Sequence, residues 1–289
     1  MIASGPVRSW AKRVIVYALG ALLGRRRFVL FSRALWMASR FDVPNDPTTN
    51  GELLLQSAVV KGLGTADTPV IFDVGANTGQ WSMLLLRTLQ RHHGTRVELH
   101  VFEPSPAAFH ALQENLSSAR PSIRLTANQL AVSSFSGYSD FSIVTPMSQV
   151  NALIALELSA VSETIKVSCV TLDDYCSRQG LLGVHFVKID TEGNDFRVLQ
   201  GAEGLLAHGR LDFLQFEYNH RWIAFRTYLK DVFDFIEPFP YAIGKLTPKG
   251  VEFYDRWHPD LERFIEGNYV VCKDVHKSKL PVVRWWNER

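Results

Sequence analysis

The chain has 289 residues, 46% of them hydrophobic and 21% charged, enough to build one large domain with a substantial core. A net charge of +2 excludes the strongly basic balance of a general nucleic-acid binder. Its cysteines, Cys169, Cys176 and Cys272, show no C-x-x-C spacing, so neither a disulfide framework nor a zinc site is implied, and a reducing compartment fits.

The charge is unevenly placed. Residues 1–40 hold Arg8, Lys12, Arg13, Arg25, Arg26, Arg27, Arg33 and Arg40 and no acid, so this stretch carries +8 and the other 249 residues carry −6. Within it Val14–Leu23 is an apolar run of ten, about half the roughly 20 residues that span a bilayer. A secretory leader would need a small, uncharged cleavage site where Arg25-Arg26-Arg27 stand, so a cytoplasmic protein is expected. Residues 1–41 read as one or two helices, broken near Gly20 and Gly24. Apolar residues interspersed with arginines suit an interfacial helix at the inner face of a membrane, or else an extra helical layer on the domain or under a partner. The expected organisation is a basic, apolar helical extension over residues 1–50 and a catalytic domain over 51–289.

The Pro44-Asn45-Asp46-Pro47 cluster marks that boundary, and Gly51–Leu63 reads as a helix entering the core. Strands and helices then alternate, which predicts an α/β sheet. Val70–Val74 is the first strand, with a helix from Gln80. Val97–Phe102 is the second, with a helix over Pro106–Leu116. Ile123–Val132 holds the third, and Tyr138–Ile143 is a short strand after the Ser136-Gly137 turn. Lys166–Val170 leads into a helix over Leu172–Arg178. His185–Ile189 is a buried strand, Asp195–Ala207 largely helical, Leu211–Glu217 a further strand, and Tyr228–Phe235 a helix. The end reads as a hairpin, Tyr241–Leu246 and Val251–Tyr254 about a Pro248-Lys249-Gly250 turn, with a last strand at Asn268–Cys272.

The densest chemical signal is Val70-Ile71-Phe72-Asp73-Val74-Gly75-Ala76-Asn77-Thr78-Gly79-Gln80-Trp81. A buried strand, a glycine turn and a helix start here, as in nucleotide-type sites. The D-x-G-x-x-x-G pattern is not the G-x-G-x-x-G of a dinucleotide site. Asp73 would repel a diphosphate and suits an ammonium group, so S-adenosylmethionine is the expected ligand and a nicotinamide coenzyme is disfavoured. Gly75 allows close approach of that ligand, and Gly79 lets the helix pack on the sheet. Asn77 offers an amide to a carboxylate, or simply caps the helix. Glu103, thirty residues after Asp73, is placed to accept two ribose hydroxyls, or to cap the helix beginning at Pro106. Asn128 to Ala131 should lie near an adenine.

The second signal is Lys188-Ile189-Asp190-Thr191-Glu192-Gly193-Asn194-Asp195. Lys188, Asp190 and Glu192 share one side of an extended chain at the carboxyl end of a strand, where open α/β sheets hold ligands. Asp190 and Glu192 suit a base for an alcohol proton, or a divalent cation that orients the acceptor oxygen. The alternative pairs Lys188 with an acid and leaves Asn194 or Asp195 to cap a helix. Glu217 ends the next strand, and His220 follows three residues later, either as a base or as a structural loop histidine. Trp222 and Phe225 form an acceptor wall or core.

With both signals read, the chain resembles the FkbM family of S-adenosylmethionine-dependent methyltransferases. The likeness rests on Ile71–Gly79, Phe102-Glu103-Pro104, Thr171-Leu172-Asp173-Asp174, Lys188–Gly193 and Val198-Leu199-Gln200-Gly201-Ala202. It implies a Rossmann-like seven-stranded methyltransferase sheet with an antiparallel C-terminal hairpin. It also implies O-methylation of hydroxyls on sugars, glycolipids or polyketide-type metabolites, with Gln80 and Pro104 in the cofactor loops. Met147–Ala152 departs from the small residues and serines of the family, so acceptor specificity is not carried over. The leading expectation is methylation of a sugar hydroxyl on a glycan or glycolipid. A soluble secondary metabolite as acceptor, and a non-catalytic nucleoside-binding scaffold, are the alternatives.

Overall fold

A computed structural model describes residues 6–42, 46–63, 68–91, 96–117, 123–146, 148, 151–155 and 157–284, with backbone alone at 6–9, 11 and 158. Part of the boundary cluster (Pro44, Asn45) and Met147, Gln149 and Val150 lie outside the described residues. The chain divides into two compact units, residues 1–43 and 44–289.

The first unit is a pair of helices, α1 (Pro6–Leu23) and α2 (Arg25–Ser39). Gly24, at φ +73°, makes the break between them, and Gly20 stays helical.

The second unit opens with α3 (Glu52–Gly62), β1 (Val70–Val74), α4 (Gln80–Arg91), β2 (Val97–Phe102), α5 (Pro106–Leu116), β3 (Ile123–Asn128), β4 (Ala131–Val132) and β5 (Gly137–Ile143). It continues through β6 (Glu163–Val170), α6 (Leu172–Gln179), β7 (Val184–Ile189), α7 (Asp195–Gln200), α8 (Glu203–Ala207) and β8 (Leu211–Tyr218). The last elements are α9 (Trp222–Phe225), α10 (Leu229–Ile236), β9 (Tyr241–Thr247), β10 (Gly250–Tyr254), β11 (Gly267–Lys273) and β12 (Val282–Val283).

One sheet of nine strands runs β12-β10-β9-β11-β8-β7-β1-β2-β3. The five strands from β8 to β3 are parallel. β1, at the centre, is buried along its whole length because both faces of the sheet are covered there. Side chains alternate between the two layers: Val70, Phe72 and Val74 enter one apolar cluster, and Ile71 the other.

This differs from the expected seven strands. β9 and β10 form the hairpin about Pro248-Lys249-Gly250, and β11 does not add to its outer edge beyond β10. β11 inserts between β8 and β9, antiparallel to both, with Tyr269 opposite Phe216 on one side and Lys245 on the other. β12 extends the edge beyond β10. The strands expected near Tyr138 and Lys166 leave the main sheet and pair with each other and with β4 as a separate three-stranded sheet. The expected helix over Asp195–Ala207 is two helices, parted at Gly201-Ala202, where a Cβ on Gly201 would stand 2.3 Å from the Ser133 carbonyl.

Gly79 packs its helix against a neighbouring helix rather than against the sheet. It sits at φ +87°, and an added Cβ would lie 2.8 Å from Leu112 Cδ1 and 3.5 Å from Leu116 Cγ. Gly79→Ala should therefore cost about 1–3 kcal/mol, from backbone strain and overpacking together. An unchanged urea-unfolding midpoint would contradict this packing role.

Candidate active site

A cavity of about 310 Å³ opens at the carboxyl ends of β1, β2 and β7. Gly75, Asn77, Gln80, Glu103, Pro104, Ala131, Lys188, Asp190, Glu192 and Glu217 line it, as do Glu52, Trp81, Phe141, Asn151, Leu153, Arg221 and Glu266.

The glycine loop turns sharply because Gly75 (φ +77°), Asn77 (φ +47°) and Gly79 all adopt left-handed backbone. A Cβ on Gly75 would fall 1.9 Å from the Asp190 carbonyl, so the loop after β1 lies directly against the end of β7. The loop spends its own donors. Gly75 and Ala76 N–H donate to Phe102 O, and Gly79 N–H donates to Ala76 O. Asn77 N–H donates to Glu103 Oε2, and Thr78 N–H donates to Asn77 Oδ1. These five amides are therefore committed within the protein, which leaves the turn without the free N–H groups that cradle a diphosphate. Asn77 Nδ2 donates to Ser148 O at 3.4 Å, tying the turn to the loop beyond β5.

Glu103 ends β2 with each oxygen accepting one backbone N–H, Oε2 from Asn77 at 2.9 Å and Oε1 from Ser105 at 2.8 Å. A carboxylate offers about four acceptor positions, so two remain for a vicinal diol. Burial pushes this carboxyl up to about 7, against the pull of those two N–H bonds. Leu130, Ala131 and Val132 add an apolar wall beside it. Asn128, expected beside an adenine, is instead used inside the sheet. Its Nδ2 donates to Val101 O and Thr126 O, its Oδ1 accepts from Tyr175, and it does not line the cavity.

The other wall is built around Lys188, on β7. Its Nζ lies 2.9 Å from Asp190 Oδ2 and 3.9 Å from Asp73 Oδ1. Burial alone would depress this amine, but Asp190 and Asp73 outweigh it and hold the ammonium protonated. Asp73 is wholly buried, accepts a hydrogen bond from Ser82 Oγ at 2.7 Å, and does not line the cavity. Its expected place as the partner of a ligand ammonium is corrected: β1 points it beneath the glycine loop, into the Lys188 pair.

Asp190 keeps 29% of its side chain exposed and faces the cavity. Burial raises its carboxyl, but Lys188 and a hydrogen bond from Glu217 outweigh that and hold it below the usual carboxylate range. Glu217 is driven the opposite way, well above its ordinary value, by burial and then by the Asp190 charge. The two environments separate a proton-holding acid from an anionic partner. Asn219 Nδ2 fixes Glu217 by donating to Oε1 at 2.9 Å.

Glu192 sits at φ +56° on the turn after β7 and meets Arg221 at 2.8 Å. Burial and the Asp190 charge nevertheless push its carboxyl up to about 9. Gly193 packs against the Arg221 carbonyl. Asp195 holds this turn by accepting from Thr191 and Gly193 N–H. Asn194 ties it to β4 through Val132 O rather than capping α7.

Two further expectations are corrected. His220 is exposed and absent from the cavity lining, so the loop leads it away from the site where it was expected to act as a base, and the structural alternative stands. The proposed divalent cation between Asp190 and Glu192 meets lysine and arginine already in that position, and no group of three or more His, Cys, Asp and Glu among the described residues is arranged to hold a metal ion. Trp222 is core: its Nε1 donates to Glu217 O at 3.0 Å, which steadies the strand end.

The pattern that defines the FkbM methyltransferase domain matches residues 73–243, from the glycine loop to β9. The chain belongs to the FkbM methyltransferase family. It is 31% identical over 162 residues to the 31-O-demethyl-FK506 methyltransferase FkbM of Streptomyces tacrolimicus, covering 46% of this chain and 59% of that protein. It is 26% identical over 201 residues to the 2-O-methyltransferase NoeI of Sinorhizobium fredii, covering 64% of this chain and 76% of that protein. The match thus spans less than two thirds of the first relative's length and about three quarters of the second's. Among solved structures, methyltransferase FkbM from Methylobacillus flagellatus KT aligns at a TM-score of 0.45 and 16% identity, over 75% of this chain and 47% of that one.

The FkbM domain uses S-adenosylmethionine, and the residues present fit that donor. Glu103 has two acceptor positions left, as many as a vicinal diol would need. Six carboxyl side chains line the cavity (Glu52, Glu103, Asp190, Glu192, Glu217 and Glu266) against two cations, Lys188 and Arg221. Burial raises the Glu103, Glu192 and Glu217 carboxyls, so the net acidic excess is small. The lining still offers many acceptors and few free donors, which suits a sulfonium nucleoside better than paired phosphates. Sequence reading missed Glu52, Arg221 and Glu266, whose signals lie far from either motif. Glu52 is held by Asn50 and by Gln215 Nε2, which donates at 2.8 Å from the centre of β8.

Glu103 sets a pH signature. Its carboxyl ionises as pH rises through about 7, and the anion is the better acceptor for the diol. S-adenosylhomocysteine affinity should therefore rise about tenfold between pH 6 and pH 8, and Glu103→Gln should abolish the dependence. Titration calorimetry giving the same slope in both proteins would contradict the assignment.

Proposed function

We propose that this protein transfers the methyl group of S-adenosylmethionine to a hydroxyl, that of a sugar in a glycan or glycolipid. The observation that carries the reading is the Asp190 carboxylate, held anionic by Lys188 at 2.9 Å on the cavity wall directly beside the glycine loop. The relative named as a 2-O-methyltransferase supports an oxygen acceptor.

Bound S-adenosylmethionine supplies an electrophilic methyl carbon on a sulfonium. The acceptor oxygen forms the new C–O bond as the C–S bond breaks, and sulfur keeps the electron pair. The alcohol proton passes to Asp190. A protonated ether is far more acidic than any carboxylic acid, so a carboxylate with a lowered pKa still takes that proton. Lys188 fixes the carboxylate oxygen, and the neutral Glu217 carboxyl donates to Asp190 from the other side. Orientation and proton acceptance are the contributions such displacements need. A cytoplasmic setting accords with three buried, unpaired thiols at Cys169, Cys176 and Cys272.

A soluble polyketide-type acceptor is the second reading, favoured by the relative whose name specifies an FK506 derivative. Incubation with labelled methyl donor and fractionated lipid, polysaccharide and small-molecule extracts separates the two. Label in saccharide-bearing fractions supports the first, and label in the small-molecule fraction replaces it. With the acceptor found, Asp190→Asn should lower kcat by about 10²- to 10⁴-fold with little change in S-adenosylhomocysteine affinity. Unchanged kcat would remove Asp190 from the chemistry.

A further inference from the structure

The unit formed by α1 and α2 carries no part of the cavity, and its surface has the opposite character. On α1, Val14, Ile15, Val16 and Tyr17 are all exposed, and so is Leu22; Tyr17 and Leu22 each reach 81%. Four consecutive residues at about 100° apart encircle a helix, so α1 presents apolar surface on every side. A helix apolar all round is stable only when something covers it. α2 adds exposed Val29, Leu30, Phe31 and Leu35. No described helix is long and apolar enough to cross a membrane.

We propose that this helix pair docks on an anionic lipid bilayer, lying in one leaflet. Three observations choose that occupant. First, Lys12 and Arg13 precede the apolar run Val14–Leu23 and Arg25, Arg26 and Arg27 follow it. Ten helical residues reach about 15 Å, half of a hydrocarbon core of about 30 Å. Both basic clusters must then sit at the headgroups of the same leaflet, with the apolar run between them in the acyl boundary. Second, residues 1–40 carry +8 with no acid, so a second copy of this surface would be repelled where anionic headgroups are attracted. Third, arginine and lysine stems extend over apolar surface while keeping their charge at the headgroup level. The proposal stands apart from the methyl-transfer reading.

Sedimentation of the full chain with vesicles tests it. The protein should pellet with phosphatidylcholine vesicles containing phosphatidylglycerol and far less with phosphatidylcholine alone. The triple substitution R25Q/R26Q/R27Q should weaken that binding about a hundredfold, on the basis of about 1 kcal/mol per basic residue at an anionic surface. Ile15→Glu with Leu22→Glu should weaken it separately. Both variants should keep wild-type S-adenosylhomocysteine affinity, which reports an intact cavity, and wild-type helical content by circular dichroism, which reports intact helices. No pelleting with anionic vesicles would overturn the proposal, as would pelleting that neither variant reduces. A stable dimer by light scattering, dissociated by Ile15→Glu with Leu22→Glu in protein that ignores vesicles, would assign the surface to a second copy instead.

Discussion

Burying the Lys188 ammonium between the central strands costs several kcal/mol of lost hydration unless anions surround it closely. Asp190 at 2.9 Å and Asp73 at 3.9 Å meet that requirement, and the rest of the site is arranged around them. Asp73 anchors the pair from β1 beneath the glycine loop. Asp190 carries it into the cavity. Burial and then the Asp190 charge push the neighbouring Glu217 upward while Lys188 holds Asp190 low, and the wall sets a stronger and a weaker acid side by side. Removing the lysine would leave the buried Asp73 beside a second carboxylate with no cation between them, so the pair also holds β1 and β7 together.

The same accounting distinguishes the ligand class. A turn after the first strand of an α/β sheet usually attracts phosphate because its amide groups are free. Here Phe102 O, Glu103, Asn77 Oδ1 and Ala76 O take those amides, and the surrounding lining is rich in acceptors. A nucleoside with a diol and a positive charge is complementary to that surface, and a diphosphate is not. The glycine positions, the strand-end glutamate and the lysine–aspartate pair place fixed polar groups around one cavity, which the proposed function assigns to a cationic donor and a neutral hydroxyl.

Much of this was legible in the sequence. The run Val70–Val74 could only be a buried strand, the glycines at 75 and 79 required a turn, and Glu103 followed at the spacing of the next strand end. Lys188, Asp190 and Glu192 alternate, and alternation alone puts them on one side of a strand. What pattern could not show was depth. Asp73 and Asp190 are the same residue type at the ends of neighbouring strands, yet one is sealed under the loop and the other opens to the cavity. His220 lies only three residues beyond Glu217, but the turn stabilised by Asn219 and Trp222 sends it to solvent while bringing Arg221 inward. Glu52 and Glu266 reach the cavity from opposite ends of the chain, a long-range arrangement without a local signature. The position of β11 was hidden for the same reason, since its pairing with β8 joins segments separated by two other strands and two helices.

The proposed proton transfer depends on the ionisation of one side chain. Infrared difference spectra of the wild type against Asp190→Asn, recorded at neutral pH, report directly whether the Asp190 carboxyl carries a proton. An ionised carboxylate band, shifted by its contact with Lys188, is the expected result. A carboxylic-acid carbonyl band assigned to Asp190 would contradict it, because a neutral acid there could not receive the proton that methyl transfer releases.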